Sequence, residues 1–163
     1  MLNKIKPLIY FLPLIVVQLV IVPIISIQNI APNLILILVV YFTLLKGQIY
    51  GTVVGFIFGF LFDLFSGGLL GASMMSFTIS AFIVGYFYSE NKLDTNLASY
   101  FFLVILFIGS IINSIVYSAA AKESTAIRFS FLLFEAGILP AIYTTVFGLI
   151  VVTLNSKRGM FNE

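Results

Sequence analysis

Residues 47–71 read GQIYGTVVGFIFGFLFDLFSGGLLG. Gly47, Gly51, Gly55, Gly59, Asp63, Gly67 and Gly71 recur every four residues. On a helix, positions i and i+4 lie one above the other on the same face. The pattern therefore predicts a helix with one strip bare of side chains, and Asp63 stands at the end of that strip. It is the one charged residue between Lys46 and Glu90.

Composition places this helix in a membrane. The chain has 163 residues, of which 61% are hydrophobic and 9% charged, with a mean hydropathy of +1.19. A soluble domain is about 25% charged. Cys, His and Trp are absent, which removes disulfides, thiol nucleophiles, imidazole catalysis and the usual zinc ligands. A net charge of +2 is too small and too scattered for a nucleic-acid surface. The length suits a single membrane domain over residues 1–163. No phosphate loop, dinucleotide fingerprint, EF-hand or internal repeat is present.

A bilayer core takes roughly 20 apolar residues of helix. On that measure the expected helices are 7–27, 31–45, 48–65, 69–88, 97–119 and 131–154. The polar patch QNIAPN, from Gln28 to Asn33, divides the first two. A five-helix alternative takes 31–45 as a re-entrant segment. No cleavage pattern of the A-x-A type follows the first helix, so it is expected to stay with the protein. With six spans and a cytoplasmic N-terminus, Lys4, Lys6, Lys46, Lys92, Lys157 and Arg158 fall inside, against Lys122 and Arg128 outside. The positive-inside rule then predicts a multi-pass inner-membrane protein with both termini cytoplasmic.

The bare strip has two readings. Small residues at four-residue spacing let helix backbones approach closely, which matters where lipid gives no hydrophobic contrast. The strip either packs within the protein's own bundle or receives the transmembrane helix of another protein. Asp63 likewise has two. It is a fixed intramembrane anion that pairs with a basic or amide group, or a helix-end residue that hydrogen-bonds the turn. Its place at the C-terminal end of its helix is opposed by the helix dipole. Glu135, one turn into the sixth helix, is the second acid in an apolar run, and there the dipole is favourable. Ser110, Asn113, Ser114 and Tyr117 form a polar stripe on the fifth helix, as bundle glue or as a ligand-facing wall. Ser73, Ser76 and Ser80 form a small polar face on the fourth. Pro13 and Pro23 interrupt the first helix, and Gln18 between them is expected to point inward.

The stretch from Pro32 to Gly71 resembles the rod shape-determining protein MreD family. That family's pattern is a Pro and a polar residue, an aliphatic run, G-x-x-x-G-F-x-x-G-x-x-x-D, then S-G-x-x-x-G. Pro32, Gly51, Gly55, Phe56, Gly59, Asp63, Ser66, Gly67 and Gly71 match it, and Asn33 stands where many relatives carry Asp. The resemblance implies a non-enzymatic subunit of the complex that organises side-wall peptidoglycan synthesis and rod shape. Its implied partners are MreC, through its transmembrane and adjacent segment, with MreB, RodA and a class B penicillin-binding protein, directly or through the complex. It implies an all-α bundle similar to the S components of energy-coupling-factor transporters. The alternative is a small-molecule, vitamin-type binding membrane subunit or transporter with a cavity lined by Asn113, Tyr117, Glu135 and Asp63. No cofactor or metal is expected, and lipid is the surrounding partner. An intramembrane aspartyl protease is the least favoured class, because no G-x-G-D motif accompanies either acid.

Overall fold

The computed structural model describes residues 10–27, 30–89, 100–120 and 137–159, with side chains throughout except at 151 and 154–159. Glu135, Lys122, Arg128, Lys4, Lys6 and Lys92 lie outside the described residues, as do the side chains of Lys157 and Arg158. The charge asymmetry that predicted the orientation falls mostly on those positions.

The described residues form helices and no strand, apart from an isolated bridge between Ile27 and Ile30. We number them α1 (Tyr10–Ile25), α2 (Leu34–Lys46), α3 (Gln48–Ser66), α4 (Ala72–Val84, prolonged by a 3-10 turn to Phe87), α5 (Tyr100–Ala120) and α6 (Leu139–Gly159). Two of them, α3 and α5, are long and apolar enough to cross a membrane by length and composition; the others contain shorter apolar stretches.

The centre of the bundle is α2. Its sequence, LILILVVYFTLLK, is apolar nearly all round, and Ile35, Leu36, Ile37, Val39, Val40, Phe42, Thr43 and Leu44 are buried. A helix with that pattern has no face to give to solvent and becomes the core. It touches α3, α4, α5 and α6. These four neighbours follow one another around it, each packed on the next in sequence. At one side α1 closes the ring. Phe11 stacks on Phe58 of α3 with ring centroids 4.3 Å apart, and Tyr143 of α6 donates a 2.8 Å hydrogen bond to the Ile25 carbonyl. The segment expected at 31–45 forms one continuous, buried helix of 13 residues. The expected starts of the second and fourth helices are three residues early, because Pro32–Asn33 and Gly71 lie outside the helical spans, and the expected start of the fifth, at 97, falls outside the described residues.

One residue, Gly47, joins α2 to α3, and its φ of 96° is a conformation open to glycine but costly for L side chains. The hairpin is tight enough that a Cβ at Gly51 would collide with Thr43. The same economy of side chains recurs around the ring. A Cβ at Gly55 would lie 2.8 Å from the Phe77 carbonyl oxygen, and one at Gly59 would lie 2.6 Å from that of Ser73, both on α4. At Gly85 it would lie 2.5 Å from Gln48, at Gly109 2.9 Å from Val84, and at Gly148 it would strike Leu106. Each consecutive pair from α2 to α6 thus meets where one partner has no side chain.

At Gly59 the nearest obstacles are backbone atoms of Met74 and Ser73, which cannot move aside as a side chain can. Gly59→Ala is therefore expected to lower stability by about 1–3 kcal/mol, the usual range for overpacking. Gly67→Ala meets nothing within 4 Å and pays only for its left-handed backbone (φ 67°), about 1 kcal/mol. Thermal melting of the purified variants in detergent checks this order, and equal losses would contradict it.

Candidate functional site

The four-residue strip of α3 is buried from Gly47 through Gly51, Gly55, Gly59 and Asp63. Gly55 and Gly59 face the backbone of α4, and Gly51 faces Thr43 of α2. The neighbours of these three glycines belong to the same chain. The reading in which they take up another protein's helix meets a plain obstacle: α4 already fills the groove. Gly67 and Gly71 have open space where a Cβ would stand, and their role is conformational, with φ values of 67° and 101°.

Asp63 is 2% exposed and completes this hairpin. After α3 ends at Ser66, Gly67 takes the left-handed conformation of a helix C-cap. The chain turns through Gly68, Leu69 and Leu70, and α4 begins behind Gly71. The carboxylate of Asp63 then accepts three backbone hydrogen bonds across the turn. Oδ2 receives Gly71 N–H at 2.8 Å and Met74 N–H at 3.2 Å, and Oδ1 receives Ser73 N–H at 3.2 Å. The remaining early amide, Ala72 N–H, donates to the Leu69 carbonyl at 3.2 Å, and the α-helical series starts with Met75 N–H to the Gly71 carbonyl at 2.9 Å. All four amides that a helix start leaves without an intrahelical acceptor are thereby satisfied. Gly71 has no side chain with which to cap its own helix, so the preceding helix supplies the cap. The dipole argument reverses with this geometry. Asp63 is unfavourably placed for α3 but lies at the positive end of α4. It pairs with amides rather than with a basic side chain.

A second polar cluster ties α1, α2 and α6 together. In α1, Pro23 has no N–H to give the Leu19 carbonyl, and the helix widens to a π turn at Val17–Ile21, with Val22 N–H reaching the Val17 carbonyl. Gln18, on that turn, points inward as expected. Its Nε2 donates to the Pro32 carbonyl at 3.0 Å and its Oε1 accepts Leu34 N–H at 2.8 Å, so both halves of the amide are used. Asn33 caps α2 by accepting Leu36 N–H at 2.9 Å, and its own N–H donates to Thr144 Oγ1 at 3.0 Å. The cap needs an acceptor oxygen, which Asn and Asp both have. The partners of Gln18 were not foreseeable from a lone polar residue between two prolines.

The other expected site residues do not gather around Asp63. Asn113 is 8% exposed within the bundle and Tyr117 is 41% exposed; Glu135 lies outside the described residues. Beside the hairpin, a groove of about 640 Å³ opens between Phe56 of α3, Leu70, Met74 and Met75 around α4, and Ala120 of α5. Its lining is apolar apart from Thr78. Among the described residues no cluster of three metal-ligating side chains is present.

Replacing Asp63 is expected to act on folding in a graded way. Asp63→Ala leaves three buried amides without their acceptor, and hydrogen bonds to charged groups are worth about 1.5–3 kcal/mol each. Asp63→Asn keeps one oxygen and loses less. The checks are accumulation in the membrane and the melting temperature of purified protein. An Ala variant as stable as the unaltered chain would remove the cap from this account.

Comparison with known proteins identifies the family. A family profile described as rod shape-determining protein MreD matches residues 2–158, and the chain belongs to that family. No curated protein and no solved structure gives a significant match.

Proposed function

From membership of the MreD family, an inner-membrane family of rod-shape determinants, we propose that this chain is a non-enzymatic subunit of the complex that builds the side wall of elongating cells. It binds MreC and associated proteins through its membrane helices, and MreB, RodA and the class B penicillin-binding protein join directly or through the complex. The chain forms one membrane domain of six spans with both termini in the cytoplasm. The observation that carries this proposal is the profile match across nearly the whole chain. The geometry adds support for an assembly role. The acid of the family motif accepts hydrogen bonds from three amides of its own fold, which supports a role in holding the hairpin together.

Because α4 fills the glycine strip, partner helices have to use the lipid-facing surface. On α3 that surface comprises Ile49, Val53, Phe56, Ile57, Phe60 and Leu64, all exposed. Such contacts rest on shape fit and dispersion. The family motif thus shapes the partner face indirectly, by fixing the hairpin that presents it.

Depletion of the protein in a rod-shaped host, with cell outline scored beside recovery of MreC from solubilised membranes, tests the proposal. Rounded cells and loss of MreC from the complex are expected. Persistent rods with undiminished MreC recovery would refute it.

A further inference from the structure

The two ends of the α3–α4 hairpin show different side chains. Lys46, Tyr50, Tyr86, Tyr88 and Tyr100 stand at the open end. Contacts place them there together. A Cβ at Gly47 would lie 3.5 Å from the Tyr88 ring, one at Gly85 would lie 2.5 Å from Gln48, and Phe87 meets Phe101 with ring centroids 6.3 Å apart. Lys46, Tyr86 and Tyr100 are exposed. Tyrosines gather at the headgroup level of a membrane, and a lysine near a helix end reaches for the same layer. This end therefore marks one membrane surface.

The closed end is the turn between α3 and α4. The stretch LFSGGLLGASMM, from Leu64 to Met75, has no charged residue, Tyr or Trp. Every residue from Leu64 to Leu70 is exposed, with Phe65, Leu69 and Leu70 at 62%, 58% and 69%. These side chains continue the exposed apolar line of Phe56, Phe60 and Leu64 along α3.

Two constraints bracket the depth of this tip. The 19 residues of α3 span roughly 28 Å at 1.5 Å per residue. A hydrocarbon core is about 30 Å thick and a whole bilayer about 40–45 Å. With the tyrosines at one headgroup layer, the tip stops short of water on the far side. The peptide groups of the turn set the opposite limit. Gly67 to Leu70 lie outside both helices, and lipid-exposed irregular backbone is not tolerated within the hydrocarbon. The remaining level is the boundary between acyl chains and headgroups, where apolar side chains enter the chains and polar groups stay wet.

We propose that the α3–α4 tip is a phospholipid-binding surface, with Phe65, Leu69 and Leu70 seated among the upper acyl chains of the leaflet opposite the tyrosines. The proposal rests on the membrane-spanning reading of the chain. The tip thereby fixes how deep the hairpin sits, and it does not project into water.

The chain has no Cys, so Leu70→Cys supplies a single thiol for a fluorophore, and Phe60→Cys supplies a deeper reference on the exposed side of α3. The full-length variants are placed in nanodiscs of phosphatidylcholine carrying a nitroxide on the headgroup, near the top of the acyl chain or near its end. Quenching by aqueous iodide is measured in parallel. The label at 70 is expected to lose most fluorescence to the nitroxide near the top of the chain and little to iodide. The label at 60 is expected to lose most to the nitroxide near the chain end. Iodide quenching at 70 that exceeds quenching by every lipid nitroxide overturns the proposal, as does an absence of lipid quenching at 70 while 60 responds; both leave the spanning reading intact. Lipid quenching at neither position overturns both. Should Leu70→Cys fail to fold, Leu69→Cys on the same turn gives the same readout.

Discussion

A carboxylate buried against the start of the next helix is the constraint on which the α3–α4 hairpin depends. Asp63 can lie 2% exposed in an apolar bundle only because three amides of α4 surround it. Those amides exist in that position only because α4 begins beside the end of α3. That closeness in turn requires Gly55 and Gly59, since a side chain at either would meet the backbone of Phe77 or Met74. Cap, turn and glycine strip are therefore one device. The glycines bring two backbones together, and the acid fixes where along their length they stop. In a medium that gives no hydrophobic reward for helix association, such a device supplies both closeness and register.

Around it the bundle repeats the principle with other residues. Gly109 against Val84 and Gly148 against Leu106 continue the close approach around α2. Gln18 and Asn33 do for the α1–α2 connection what Asp63 does for α3–α4, satisfying backbone groups at helix ends from a neighbouring turn. Polar side chains in the described bundle are mostly spent on backbone rather than on one another, as expected where unsatisfied amides have no water to fall back on.

How much of this was legible beforehand follows from the range of each signal. The all-helical class, the breaks at Asn33 and Gly47 and the buried glycine strip are local patterns, and a sequence displays those directly. The choice between an inward and an outward use of the strip is not local, because the residues that pack against it, Phe77, Met74 and Ser73, lie on the following helix. Asp63 was visible as costly and as badly placed for its own helix dipole. Its solution was hidden because the acceptor and its donors are eight to eleven residues apart and belong to opposite sides of a turn. The π turn at Val17–Ile21 was hidden for a different reason. Pro23 predicts a disturbance, but several distortions would accommodate it.

The position of Asp63 in the chain also has a consequence for biogenesis. Synthesis delivers Asp63 before Gly71, Ser73 and Met74, so at the moment α3 is complete its acid has no donors. An aspartate at the centre of a helix carries an insertion cost of about 2.5–3.5 kcal/mol, reduced here by its nearness to the helix end. Partitioning α3 into lipid alone would expose that cost, whereas the amides of Gly71, Ser73 and Met74 offset it once α4 has begun. The order of residues thus ties the burial of the acid of α3 to the arrival of the first turn of α4.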